Sequence, residues 1–241
     1  MGTHAAGGTT RVATSVVRLT TSGVLLITFV AAACGPGDFE DLMSSDVCAP
    51  HEAFTADIDN PYLPLPAGRR IELRGDGLLV RITVLDQTEI VAGVETRIVE
   101  EYEATDGRVV EVSRNYFAQA RDGTVCYFGE DVDMYDENGD VTSHAGAWRA
   151  GGGNAPGIFM PSPLRVGQAF HQEIAPGVAE DQANVVALGE ATDVPAGTFD
   201  DTVTVLDRNP LDGTEDTKVY ARDVGLIVDE AVRMTRFVPG G

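Results

Sequence analysis

The 241-residue chain is poor in positive charge: 17 Lys and Arg stand against 38 Asp and Glu, and Lys218 is its single lysine. Proteins that hold nucleic acid or anionic lipid headgroups gather Lys and Arg against phosphate, so this balance argues against both partners. Helical periodicity is missing over any three turns, and one short helical turn near Glu180–Ala183 is all the pattern allows. Catalytic signatures are missing as well. There is no Gly-x-Ser-x-Gly, Ser-x-x-Lys, P-loop, His-Glu-x-x-His or dinucleotide glycine fingerprint. The four histidines form no pair at helical or alternate-residue spacing. Apolar runs are short: Gly23–Ala33 has eleven residues, whereas a membrane-spanning helix needs about 20.

That run is informative in another way. Residues 1–33 carry Arg11 and Arg18, no acidic residue, the apolar stretch and then small residues, the layout of a secretory signal. It ends in Ala31-Ala32-Ala33-Cys34, which resembles a bacterial lipobox, although that pattern more often has leucine where Ala31 stands. The resemblance implies that Cys34 is acylated with palmitate-type chains and becomes the new N-terminus. An ordinary signal peptide cleaved after a small-x-small motif is the alternative. Two or three acyl chains, at about 0.8 kcal/mol per buried methylene, hold a soluble domain on a membrane stably. The expected location is therefore outside the cytoplasm, anchored to a bacterial membrane and facing the periplasm or the exterior. Losing residues 1–33 removes two basic and no acidic residues, leaving a net charge of −23.

Of the three cysteines, Cys48 and Cys126 remain if Cys34 carries lipid. An even pair in an exported protein reads as a disulfide, worth roughly 4 kcal/mol for a long loop by the chain-entropy argument. A buried free thiol at Cys126 is the rival reading.

The rest of the chain alternates strand-forming runs with glycine turns. Residues 34–59 read as the lipidated cysteine and a flexible tether, and residues 60–238 as one domain. The domain opens on the proline-spaced Asn60-Pro-Tyr-Leu-Pro-Leu-Pro, whose Tyr62, Leu63 and Leu65 are expected to plug one end of a core. Asp76-Gly77, Asp106-Gly107, Asp122-Gly123 and Asn138-Gly139 mark hairpins. Between Arg114 and Trp148 they delimit three consecutive strands rich in aromatic rings: Tyr116, Tyr127, Tyr135 and Trp148. The expected fold is all-β, a single curved antiparallel meander sheet or (half-)barrel of about ten or more strands. One long Gly/Pro loop, residues 150–163, interrupts it, with Ile158, Phe159 and Met160 as an apolar tip able to act as a lid. Glu100, Glu101 and Glu103 are expected on the solvent side of one strand, with Tyr102 inward.

Several pieces resemble a group of uncharacterised exported bacterial proteins. They are Asn60-Pro-Tyr-Leu-Pro-Leu, Tyr127-Phe-Gly-Glu-Asp131, Gly157-Ile-Phe-Met-Pro161, Gln172-Glu173 with Pro176-Gly177 and Ala179-Glu-Asp181, and Val224-Gly-Leu226. The resemblance implies a single all-β domain and transfers no catalytic residue.

Two functional classes follow. The first is a non-catalytic envelope lipoprotein that shelters an apolar or amphiphilic small molecule, or docks an envelope protein, with Trp148, Phe159, Met160, His171 and Glu173 as binding residues. The second is a metal-assisted hydrolase built on His171, Glu173, Glu180 and Asp181, since His171 and Glu173, two apart on a strand, would share a face. No cofactor is indicated. Asp131, Asp133, Asp136, Asn138 and Asp140 invite calcium, which takes six to eight oxygens, but Tyr135 breaks the EF-hand order and an acidic hairpin end accounts for them.

Overall fold

The computed structural model describes residue 39 and residues 41–241, so Cys34 and the signal segment lie outside the described residues. The fold is all-β, and thirteen strands follow one antiparallel path that curls into a nearly closed barrel. A short strand, β1 (Phe54–Thr55), precedes a meander of β2 (Arg70–Gly75), β3 (Leu78–Val91), β4 (Val94–Thr105), β5 (Arg108–Ala120) and β6 (Val125–Tyr135). Then come β7 (Val141–Ser143), β8 (Trp148–Arg149), β9 (Ala155–Met160), β10 (Ala169–His171) and β11 (Glu173–Ile174). A second meander follows: β12 (Gln182–Val194), β13 (Gly197–Asn209), β14 (Thr214–Ala221), β15 (Gly225–Asp229) and β16 (Val232–Val238). The two meanders join where β16 pairs with β2. Turn chemistry sets their registers. Asp76-Gly77 and Asp106-Gly107 both take positive φ at each residue, the two-residue turn whose twist matches the flanking strands.

The barrel comes nearly full circle at β10 and β11, the two ends of the path. They are consecutive in the chain: Ala169–His171 pairs with β12, and after Gln172 the chain changes partner and pairs with β9. Gly157 makes this seam possible, because a Cβ there would run into the carbonyl oxygen of Gln172. Residues 150–163 are Gly- and Pro-rich as expected, yet their apolar centre is the strand β9 and not a lid tip. Ile158 and Met160 are buried, and the strand lies between β6 and β11. No helical turn forms at Glu180–Ala183, since β12 begins at Gln182; among the described residues the one helical element is a 3-10 turn at Asp46–Cys48.

Packing extends N-terminally of Asn60, where the sequence pattern puts the start of the domain. Cys48 is bonded to Cys126 across 78 residues with Cα atoms 5.5 Å apart. Phe54–Thr55 pairs with β5, and Phe54 meets Phe128 edge to face at 5.3 Å. Tyr62, Leu63 and Leu65 are buried against the core as expected.

Alternation along the strands gives the barrel an inner face that changes character along its length. Val99, Glu101 and Glu103 share one face of β4, and Val203, Val205 and Asp207 one face of β13. One end of the interior is apolar, filled by side chains such as Val84, Val99 and Val203; the other is lined with carboxyl groups, beginning where Val80 stands across from Glu103.

Candidate functional site

The carboxyl-lined end of the barrel encloses a cavity of about 230 Å³. β4 contributes Glu101 and Glu103, and β5 contributes Glu111, Ser113 and Asn115. From β6, Tyr127 and Glu130 face in; from the seam, Gln172, Glu173 and Asp181. The far wall carries Asp207 on β13, Asp216 and Lys218 on β14, and Asp229 on β15. Arg208, exposed beside Asn209, marks the end open to solvent. Nine carboxyl side chains thus face two cations, and the ammonium is that of the chain's only lysine.

Strand register places that lysine. Lys218 stands directly across from Asp229, and Asp207 pairs with Asp216, two residues before Lys218 on the same face. Lys218 Nζ lies 2.8 Å from Asp207 Oδ2. Asp207 is 6% exposed, and its other carboxylate oxygen, Oδ1, is buried with no hydrogen-bond donor. Asp181 Oδ1 is a second buried oxygen without one. Burial pulls the Lys218 ammonium down, but Asp207 and Asp229 outweigh it and leave Lys218 well above its ordinary range. Burial raises Asp207 and Asp229, with Lys218 opposing in both.

The other carboxyl groups of the cavity are raised too, with Lys218 opposing the rise at Glu101, Glu103, Glu173 and Asp181. Burial, then Glu103, pushes Glu101 up to about 8, and burial, then Glu111, takes Glu103 to about 7. Glu111 reaches about 7 through burial and the charge of Glu101. At the seam, burial followed by Asp181 raises Glu173 to about 8, and burial takes Asp181 to about 6. Glu130, 7% exposed, is raised well above the carboxylate range by burial, then by Glu173. At neutral pH several of these groups are acids holding protons.

An aromatic group flanks this wall. Tyr127 stacks on Phe117 at 4.8 Å and meets Trp148 and Phe159 edge to face, each at 5.5 Å. Trp148 is 5% exposed, and its Nε1 donates to Glu173 Oε1 at 3.3 Å. Arg149 fixes β8 from outside: it donates to Asp131 and to the Tyr116 hydroxyl, with its guanidinium over the Tyr116 ring.

The expected site residues divide. Phe159 and Glu173 line the cavity and Trp148 abuts it through Glu173, whereas Met160 is 1% exposed in the core. Asp181 shares the cavity wall with Glu173. His171 and Glu180 are not on that wall. The change of strand partner at Gln172 breaks the alternation that would have put His171 beside Glu173. Glu180 instead accepts a hydrogen bond from the Gly177 backbone N–H at 2.7 Å in the preceding turn. The acidic hairpin residues do not converge either. Asp131 is engaged by Arg149, Asp133 by His144, and Asp136 by the Asn138 and Asp140 backbone N–H groups. Among the described residues no three His, Cys, Asp or Glu come together as metal ligands.

Glu101 and Glu103 correct the reading of β4 most directly. They point inward, while Tyr102 lies outside under the Arg81 guanidinium and Glu100 pairs with Arg114. The only advance signal for the far wall was a lone lysine amid acidic strands. Comparison with protein-family models, with curated proteins and with solved structures found no match.

Proposed function

We propose that this chain is an exported, non-catalytic binding lipoprotein, held on a bacterial membrane through Cys34, whose barrel shelters a small amphiphilic ligand. One observation carries the reading: the cavity of about 230 Å³ joins a carboxyl wall to the rings of Tyr127 and Phe159, so a bound molecule meets a polar and an apolar surface together. Hydrolysis finds less support, because of the four residues it would use only Glu173 and Asp181 face the cavity.

Trp148 offers the test. It is the single tryptophan of the chain and its indole touches the cavity wall through Glu173. Titration with amphiphiles of differing headgroup charge should shift its emission saturably for at least one headgroup class. Emission unmoved by every class would overturn the binding reading. Fractionation of cells tests the anchor separately: replacing Cys34 by Ala should move the protein from the membrane to the soluble fraction.

A further inference from the structure

We propose, resting on the binding reading above, that the ligand is a small organic cation, an alkylammonium compound with at least two N–H-bearing ends. Three independent features point to it. First, the cavity already holds one alkylammonium group, that of Lys218, between Asp207 and Asp229. Its ion pair is with Asp207, and although its charge also reaches Glu101, Glu103, Glu173 and Asp181, neither the Glu101/Glu103/Glu111 wall nor the Glu130/Glu173/Asp181 wall has an ion-pair partner among the described residues. Second, Asp207 and Asp181 both line the cavity, Asp207 is more than nine-tenths buried, and each carries a buried Oδ1 with no hydrogen-bond donor. A buried acceptor without a donor is costly, and a ligand with N–H groups supplies what is missing. Third, the carboxyl groups are spread around the wall instead of meeting at a point. A bare divalent ion needs oxygens gathered around one centre; a flexible diamine carries its charges apart, and its methylenes can lie against Tyr127 and Phe159.

Binding should exchange protons for the cation. The groups facing the ligand are Glu101 and Glu103 from β4, Glu111 from β5, and Tyr127 and Glu130 from β6. Glu173 and Asp181 face it from the seam, and Asp207, Arg208, Asp216, Lys218 and Asp229 from β13 to β15. A positive charge among them favours carboxylate over carboxylic acid, so protons leave as the ligand enters, and affinity rises from pH 6 to pH 8.

The experiment is calorimetric titration of the purified protein with putrescine, in Tris and in phosphate at the same pH, with Trp148 emission followed in parallel. Saturable binding whose heat differs between the two buffers, showing proton release, is the expected result. Glu101→Gln and Asp207→Asn, on opposite walls and each checked for an intact melting transition, should each weaken binding by about tenfold, the loss of one charge-assisted hydrogen bond. Should Asp207→Asn not fold, Glu101→Gln decides alone. If a neutral or anionic amphiphile shifts Trp148 emission and putrescine does not, the cation proposal is overturned and the binding reading stands. Binding of calcium without putrescine also overturns it. If nothing binds, both fall. Putrescine binding that is indifferent to both substitutions would place the ligand elsewhere and refute the site.

Discussion

Lys218→Met removes the only ammonium from the barrel interior and keeps a side chain of similar length. In the parent, Lys218 sits 2.8 Å from Asp207 Oδ2 and opposite Asp229. Without it, Asp207, 6% exposed, keeps no cation at contact distance, and a carboxylate so placed takes up a proton. Protonation caps the cost. For a carboxyl with an unfolded value near 3.9, binding a proton at pH 7 costs about 1.4 kcal/mol per unit, or roughly 4 kcal/mol; at pH 5 the figure is about 1.5 kcal/mol. The sign is fixed: the folded variant holds a proton that the unfolded chain has already lost, so stability relative to the parent falls as pH rises above the unfolded value. For a domain of this size each kcal/mol moves the melting temperature by about 2–4 °C. The expected loss is therefore about 8–16 °C at pH 7 and about 3–6 °C at pH 5, read by differential scanning calorimetry of parent and variant. Equal losses at the two pH values would show that Lys218 acts through packing and not through charge, and would refute the electrostatic account of this wall.

Other perturbations test other parts of the molecule. Because Glu101, Glu103, Glu111 and Glu173 are raised to about 7–8, their favourable contribution is complete below about pH 4.3 and is lost as pH rises through 7 to 8. The unliganded parent should accordingly melt at a higher temperature at pH 5.5 than at pH 8.5, and the opposite order would contradict the protonated wall. Cys48→Ser, which opens the 78-residue bridge to Cys126, should cost about 2–5 kcal/mol in denaturant unfolding. Gly157→Ala should loosen the seam, since its Cβ would meet the Gln172 carbonyl; amide exchange should quicken in residues 155–160 and 169–174 ahead of the rest. Protection unchanged there would mean that the barrel does not depend on that close approach.

Local chemistry made much of the fold legible. Asp76-Gly77 and Asp106-Gly107 mark hairpins that form as two-residue turns with positive φ, and Cys48 and Cys126 form the disulfide expected of them. Closure was not legible. His171, Gln172 and Glu173 look like one uninterrupted strand, and nothing in their side chains announces that the partner changes at Gln172. That change is a matter of which edges the curled sheet brings together. β9 was hidden for a related reason. Pro156 and Gly157 are turn-formers in isolation, but here Pro156 sits opposite Glu173 on β11 and Gly157 is needed for the seam.

The acidic interior escaped notice because alternation fixes which residues share a face without fixing which face is inside. Glu101 and Glu103 against Glu100 and Tyr102 is a pattern that fits a solvent-facing or a cavity-facing wall equally well, and polar residues are assigned to water by default. The structure chooses the costly option. A barrel that continued Val203 and Val205 with another apolar residue in place of Asp207 would be at least as stable, since a well-packed apolar set often outperforms a buried ion pair. Folding alone therefore gives no reason to line this end with nine carboxyl groups and place the single lysine among them. A ligand does. The groups that weaken the free barrel as pH rises are the ones a bound cation would stabilise, so the strain of the free protein and the cation affinity proposed for it would have the same source.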